Sequence, residues 1–154
     1  MGMLGTMNSS DEAAETEALS LQECRKYLRS SSIGRLAVVS STGPEIFPVN
    51  YLPDDETLIF RTGPGTKMDV LLAGGPVALE IDGLNSYGTI AWSVVVKGLP
   101  ETVPINDQIL SADQKLFPWE PGVKENLMRI TPTEVSGRRF FISSPRRWWS
   151  PREP

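Results

Sequence analysis

Residues 34–52 decide the fold, and they read Gly34-Arg35-Leu36-Ala37-Val38-Val39-Ser40-Ser41-Thr42-Gly43-Pro44-Glu45-Ile46-Phe47-Pro48-Val49-Asn50-Tyr51-Leu52. Two runs with the period of a strand flank a turn at Ser41-Thr42-Gly43-Pro44. Runs of this composition favour strands, and Gly and Pro favour the reversal between them. The stretch therefore predicts a β-hairpin.

The sequence beyond this hairpin predicts more strands than helices. The further strands are predicted at 57–61, 77–81, 90–98, 127–130 and 134–141, the last two being bent near Pro132 and Gly137. Helices are predicted at 20–30, 68–72 and 104–114. Many short strands with few short helices are typical of a closed or nearly closed antiparallel barrel. We therefore expect a mainly β fold, a β-barrel.

The first helix has a clear start signal. Ser20 can cap its N-terminus, and Glu23 stands at the position from which a side chain reaches back to the cap. Cys24 and Leu28 fall on one apolar stripe of this helix. We therefore interpret Cys24 as a packing residue and not as a reactive thiol.

The length of 154 residues fits one domain. Residues 1–18 are acidic and poor in apolar side chains, which predicts a disordered leader. The barrel is expected over residues 19–143. Residues 144–154 are rich in Arg, Trp and Pro and are interpreted as a surface tail.

Composition excludes several classes of function. The net charge of −4 disfavours nucleic acid as a partner, and one cysteine cannot form a disulfide within the chain. No apolar run approaches the ~18 residues of a membrane span, so a soluble, cytoplasmic protein is expected. The sequence has no histidine, which removes Ser-His-Asp arrangements and histidine-based zinc sites. No metal site is predicted, and a cofactor that brings its own reactivity is the simplest source of chemistry.

The turn Thr62-Gly63-Pro64-Gly65-Thr66-Lys67, between a predicted strand and a predicted helix, is suited to a phosphate. Its two glycines let backbone N–H groups approach a ligand, the helix presents its positive end, and Arg61 and Lys67 add two cations. The spacing matches neither the P-loop nor the dinucleotide fingerprint. A nucleoside triphosphate is therefore a poor candidate.

Four segments in this order resemble the pyridoxamine 5'-phosphate oxidase-like flavoproteins. They are Ile33-Gly34-Arg35-Leu36-Ala37, Phe47-Pro48-Val49-Asn50-Tyr51, Phe60-Arg61-Thr62 with Gly65-Thr66-Lys67, and Trp92-Ser93-Val94-Val95-Val96-Lys97-Gly98. No single segment is specific, but the ordered set is, and it is nearest to the nitroimidazole reductase-like subgroup. The resemblance implies an FMN-binding split β-barrel that forms a homodimer, with FMN at the dimer interface.

The resemblance also implies eight cofactor-binding positions, which lie on strands, on the turn and in one loop: Val49, Asn50, Arg61, Thr62, Thr66, Lys67, Ser93 and Trp119. It sets the FMN phosphate against Arg61, Thr66 and Lys67. It sets the ring edge along the strand that carries Val49 and Asn50, where backbone or amide hydrogen bonds are available.

The remaining three positions have less defined roles. The resemblance lets Thr62 also reach the flavin. Ser93 stands where larger relatives commonly have a glutamine that touches the cofactor. Trp119 either covers a flavin bound by the partner protomer or seals the end of the barrel, and the sequence favours neither.

By this resemblance the chain is expected to be an oxidoreductase that transfers electrons from a transiently bound nicotinamide donor to a small organic acceptor. Arg61 replaces a histidine that is frequent in the nitroimidazole reductase-like sequences, and no catalytic side chain is predicted. Two alternatives stay open. One is a non-catalytic flavin-binding module for storage or sensing, and the other is a reductase that uses the deazaflavin F420 on the same fold.

Overall fold

The computed structural model describes residues 16–63, 65–104 and 126–142. These residues form seven strands and two helices. In chain order they are β1 (Thr16–Ala18), α1 (Leu21–Ser30), β2 (Ile33–Ser40), β3 (Gly43–Asp54), β4 (Thr57–Thr62), α2 (Thr66–Leu72), β5 (Val77–Leu84), β6 (Ile90–Thr102) and β7 (Asn126–Phe141). The helix predicted at 104–114 lies almost wholly outside the described residues.

The strands form one antiparallel sheet that closes on itself. Its order is β1-β7-β4-β3-β2-β5-β6, and a further pairing of β6 with β7 joins the two sides. The predicted hairpin is β2 and β3, paired from Ile33↔Asn50 to Ser40↔Gly43. The expectation of a mainly β barrel is confirmed.

The barrel interior is filled by side chains at alternate strand positions. Its largest fully buried members are Tyr51, Phe60, Leu36, Leu79, Ile81, Met128, Ile130, Val38, Val94 and Val96. The Tyr51 hydroxyl donates a 2.7 Å hydrogen bond to the Leu28 carbonyl oxygen at the end of α1. This bond joins the helix to the strand that forms one side of the candidate site.

Helix α1 begins as its sequence predicts. The Ser20 N–H donates to Glu23 Oε2 at 2.8 Å, and the Glu23 N–H donates to Ser20 Oγ at 3.2 Å, which completes a capping box. The hydrogen bond from the Ser20 backbone lowers the pKa of Glu23. Cys24 is buried, and burial raises the pKa of its thiol, as suits a packing residue.

Strand β7 corrects one expectation, because the two last strands predicted from the sequence form one strand of 16 residues. Its register with β6 shifts between Lys97↔Glu134 and Gly98↔Pro132, so that Thr133 has no partner across the sheet. The Thr133 hydroxyl instead donates to the Lys97 carbonyl oxygen at 3.2 Å. A bulge tolerates a proline inside a paired strand, which is why Pro132 does not end β7.

The sequence expectation is wrong for the last residues of the predicted leader. Residues 16–18 were expected in the leader, but they form β1, which pairs with residues 138–140 of β7. Glu17 accepts a 2.6 Å hydrogen bond from Arg139, which also contacts Glu23 at 3.2 Å. This ion pair holds β1 against the barrel. Residues 1–15 of the predicted leader and residues 143–154 lie outside the described part of the chain.

Candidate functional site

Strands β3 and β4 separate at one end. Four of the predicted site residues lie at the point of separation. The paired residues run from Asp54↔Thr57 to Tyr51↔Phe60 and no further. Upstream of Tyr51, β3 pairs with β2, whereas Arg61 and Thr62 of β4 pair with β7. We call this opening the β3–β4 split, with its sides formed by Val49 and Asn50 on β3 and by Arg61 and Thr62 on β4.

The backbone of Asn50 points into the split. The Tyr51 N–H donates to the Ser32 carbonyl oxygen at 3.0 Å, toward the β2 side. Because successive residues of a strand direct their backbone groups to opposite edges, the N–H and C=O of Asn50 point toward β4. By the same alternation Val49 directs its backbone to Gly34 of β2 and its side chain into the core. Asn50 therefore offers the split its backbone, whereas Val49 directs neither its backbone nor its side chain there, so the backbone hydrogen bond expected from Val49 is not available to a ligand in the split.

The β4 side of the split combines a cation with a buried hydroxyl. Arg61 is half-buried and lies opposite Leu127 of β7. Thr62 is fully buried, and its hydroxyl donates a long 3.3 Å hydrogen bond to the Gly63 carbonyl oxygen. A hydroxyl with so weak a bond retains capacity to bond a ligand.

The turn after β4 is open on its outer side. Gly65 has φ 133° and ψ −167°, a conformation that a residue with a side chain rarely adopts. Apart from its two chain neighbours, a Cβ atom at Gly65 would meet no atom of the described residues within 4 Å, so space is available beside its backbone. Thr66 begins α2, whose seven residues give only a short helix dipole.

Lys67 lies in the first turn of α2, and its ammonium group faces an aromatic ring. The Lys67 Nζ atom is 4.8 Å from the centroid of the Phe47 ring on β3. This distance is within the range of a cation–π interaction. The sequence pointed to Lys67, but its contact with Phe47 joins residues that are 20 positions apart, and no spacing rule predicts it.

Ser93 lies three strands from the split within one chain. It pairs with Asp82 of β5 and Arg138 of β7, and β5 pairs in turn with β2, the strand next to Asn50. At roughly 5 Å per strand, about 15 Å of sheet separates Ser93 from Asn50. The fold thus brings together Val49, Asn50, Arg61, Thr62, Thr66 and Lys67 but not Ser93. Trp119 lies outside the described residues.

The surface around Ser93 contains features that the sequence did not single out. Arg138 is exposed beside it, and the next row on the same face of the sheet is Leu84, Ala91 and Phe140, in which Leu84 and Phe140 are exposed. Only the register of three strands reveals this row, since its members are far apart in the sequence.

A cleft of about 540 Å³ lies at the opposite end of β4 from the split. Helix α1, the turn between β3 and β4, and the bulged part of β7 line it, and none of the predicted site residues that the structure describes does. The Arg25–Glu56 ion pair lies on its rim. We assign the candidate site to the split, because backbone groups, a cation and a hydroxyl converge there.

Two kinds of feature are absent from the described residues. Within residues 16–63, 65–104 and 126–142, no three acidic, Cys or His side chains cluster as metal ligands would. In the same ranges neither helix has the length and hydropathy needed to cross a bilayer.

Comparison with known proteins decides the family. A family model described as pyridoxamine 5'-phosphate oxidase matches residues 20–139, which include β2 to β6 and most of β7. This chain belongs to that family. The resemblance drawn from the four sequence segments is confirmed, and the match ends close to the limits of the expected barrel.

Solved structures of other members agree with the fold. A proposed pyridoxamine 5'-phosphate oxidase of Corynebacterium glutamicum is 37% identical, with 83% of this chain and 100% of that chain covered and a TM-score of 0.71. The FAD binding protein of Mycobacterium smegmatis is 30% identical, with 81% and 98% covered and a TM-score of 0.65.

A more distant structure is that of a proposed 5-nitroimidazole antibiotic resistance protein from Bacteroides thetaiotaomicron. It is 13% identical, with 82% of this chain and 90% of that chain covered and a TM-score of 0.64. At this identity the likeness shows a shared fold and nothing more. The flavin-binding split barrel is thus the architecture that this chain shares with its family.

Proposed function

We propose that this protein is an FMN-dependent oxidoreductase that passes electrons from a nicotinamide donor to a small organic acceptor in the cytoplasm. The observation that carries the proposal is the end of the β3–β4 pairing at Tyr51↔Phe60, which leaves Asn50 and Arg61 on the two sides of an opening. The opening is continuous with the turn that leads to Lys67. A flavin ring and its phosphate need such a combination of edge hydrogen bonds and cations.

The residues at the turn fit a phosphate monoester. Arg61 and Lys67 supply positive charge on the two sides of the turn, and the space beside Gly65 admits phosphate oxygens close to the backbone. Thr66, as the first residue of α2, has a backbone N–H that precedes the first bond within the helix, from Asp69 to Gly65. Together these groups would hold the phosphate of FMN.

The residues along β3 fit the ring edge of a flavin. The Asn50 N–H points toward β4 and can donate to a ring carbonyl, and the Thr62 hydroxyl can donate from the opposite side. Bound flavin would supply the two-electron chemistry, because no histidine is available as an acid or base. The chain would therefore contribute binding, orientation and access, and no catalytic side chain is assigned.

A homodimer completes the proposal. On the outer face of the β2–β3 hairpin, Val39, Ile46 and Ile33 are 73%, 67% and 45% exposed, and the one charged residue of β2 on that face, Arg35, is ion-paired with Glu80 and Asp82. Exposed apolar patches of this kind favour a protein interface. A second copy of the chain on this face would bury it. In such a dimer, Ser93 of one protomer could reach the flavin bound by the other. Symmetric pairing of this kind is common among homo-oligomers.

Mass spectrometry of the ligand released on denaturation tests the cofactor. We expect FMN. The Mycobacterium smegmatis relative is described as an FAD binding protein, which supports a flavin and makes FAD the first competitor. Release of FAD or F420 would replace FMN in the proposal, and release of no flavin, with none taken up on reconstitution, would overturn it.

Steady-state oxidation of NADPH and NADH by the FMN-loaded protein tests the reaction. We expect turnover with at least one member of a panel of nitroaromatic, quinone and azo acceptors. The control is a protein in which Arg61 and Lys67 are both replaced by alanine, assayed at the same total FMN. Retained flavin without turnover on any acceptor would favour the non-catalytic flavin-binding module.

A further inference from the structure

The contact between Lys67 and Phe47 connects the two sides of the β3–β4 split. Phe47 lies on β3, two residues before Val49, and it packs against the main core. Lys67 lies on α2, which follows β4 directly after the turn. The 4.8 Å distance from Nζ to the ring centroid thus links the strand that would bind the ring edge to the helix that would bind the phosphate.

A lysine side chain has four rotatable bonds and loses much rotamer freedom when a ligand fixes it. Phe47 is partly buried and packed, so its ring is a fixed surface. An ammonium group held over that face is restricted before any ligand arrives, which lowers the ordering cost of binding an anion. The half-buried state of Lys67 agrees with this restriction.

We propose that Phe47 is a positioning residue that holds the Lys67 ammonium at the phosphate-binding turn and so sets the preference for phosphorylated flavins over riboflavin. The inference rests on the proposed function, because it requires a flavin phosphate at the turn. It adds Phe47, which is not among the eight cofactor-binding positions that the resemblance implies.

The test measures the dissociation constants of FMN and riboflavin for the full chain by flavin fluorescence. For Phe47→Leu we expect roughly a three- to tenfold weaker affinity for FMN, as for the loss of a cation–π contact, and an unchanged affinity for riboflavin. Phe47→Tyr retains the aromatic face and should keep most of the FMN preference. A general packing defect would weaken both flavins by the same factor.

A double-mutant cycle identifies the route through Lys67. Lys67→Met removes the charge, and in that background Phe47→Leu should no longer change the affinity for FMN. Equal losses for FMN and riboflavin in Phe47→Leu, or an undiminished effect of Phe47→Leu in the Lys67→Met background, would overturn the inference.

The failure of this inference is distinguishable from the failure of the proposed function. If the wild-type protein binds FMN no better than riboflavin, the phosphate is not held at the turn and both proposals fail. If the wild-type protein prefers FMN and Phe47→Leu keeps that preference in full, only the positioning role is rejected. Thermal unfolding of each variant without flavin shows that the comparison uses folded protein.

Discussion

Asn50 and Arg61 occupy the two positions at which the β3–β4 pairing would continue beyond Tyr51↔Phe60, and the strands diverge there. One residue remains beside β2, and the other remains beside β7. Asn50 and Arg61 therefore mark the two sides of an opening at which β3 and β4 no longer pair with each other. The cofactor proposal depends on this opening.

The cations of the turn provide the first prediction. Arg61→Ala and Lys67→Ala should each weaken FMN binding by about tenfold, as expected for the loss of one charge-assisted contact. Titration of flavin fluorescence measures the change. Arg29→Ala is the matched control, because Arg29 is an exposed cation on α1 beside the cleft at the other end of β4. Unchanged affinity in both turn variants would remove the phosphate from this turn.

The buried hydroxyl of Tyr51 provides the second prediction. Tyr51→Phe removes its 2.7 Å hydrogen bond to the Leu28 carbonyl and should lower the free energy of unfolding by about 1–2 kcal/mol. Urea denaturation measures this change. Tyr87→Phe is the control, because Tyr87 is 87% exposed and should show almost no effect. Equal stability of the two variants would show that the bond contributes little.

The same tyrosine predicts a dependence on pH. Burial raises the pKa of Tyr51 to about 12, from the value of about 10 that is ordinary for tyrosine. The folded state therefore holds this proton more tightly than the unfolded state, and the resulting stability is complete below pH 10 and is lost as the pH rises toward 12. The difference in stability between the wild type and Tyr51→Phe should shrink over that interval. A difference that stays constant or grows there would contradict the assignment.

The bulge in β7 makes Gly98 irreplaceable by a larger residue. A Cβ atom at Gly98 would lie 2.3 Å from the Thr131 carbonyl oxygen, so Gly98→Ala forces the backbone of β6 or β7 to move. We expect a loss of about 1–3 kcal/mol or more in the free energy of unfolding. Gly75→Ala serves as the comparison, since a Cβ there meets no atom within 4 Å. Similar unfolding midpoints for both variants would argue against the bulge.

The apolar outer face of the hairpin provides a prediction on assembly. Ile46→Lys places a charge in the centre of the proposed interface and should shift the protein from dimer to monomer in light scattering. Leu72→Lys changes a comparably exposed leucine, 58% exposed on α2, and should leave the dimer intact. A dimer that survives Ile46→Lys would place the interface elsewhere, and a monomeric wild type would reject the dimer itself.

Local signals predicted much of this fold. The hairpin and the capping box of α1 follow from turn residues and side-chain chemistry at short range, and both formed as expected. The continuity of β7 could not be predicted from local signals, because Pro132 and Gly137 each favour the end of a strand when their neighbours across the sheet are unknown. Strand β7 is continuous because β6 pairs with it on both sides of the extra residue, Thr133.

The candidate site was likewise predictable only in part from local signals. The turn between β4 and α2 was recognisable because its glycines and cations are adjacent in the sequence. The direction of the Asn50 backbone depends on the register with β2, and the ring beneath Lys67 comes from a strand 20 residues earlier. The position of Ser93, three strands from Asn50, likewise depends on the register of β2, β5 and β6, which no local pattern encodes.

Because β3 changes neighbours at Tyr51, the opening between β3 and β4 is a permanent property of the sheet register. A flat ligand can therefore enter there without breaking hydrogen bonds between β3 and β4. We therefore expect association without a slow rearrangement step, with a rate that rises linearly with ligand concentration, and one backbone shape common to the empty and loaded protein.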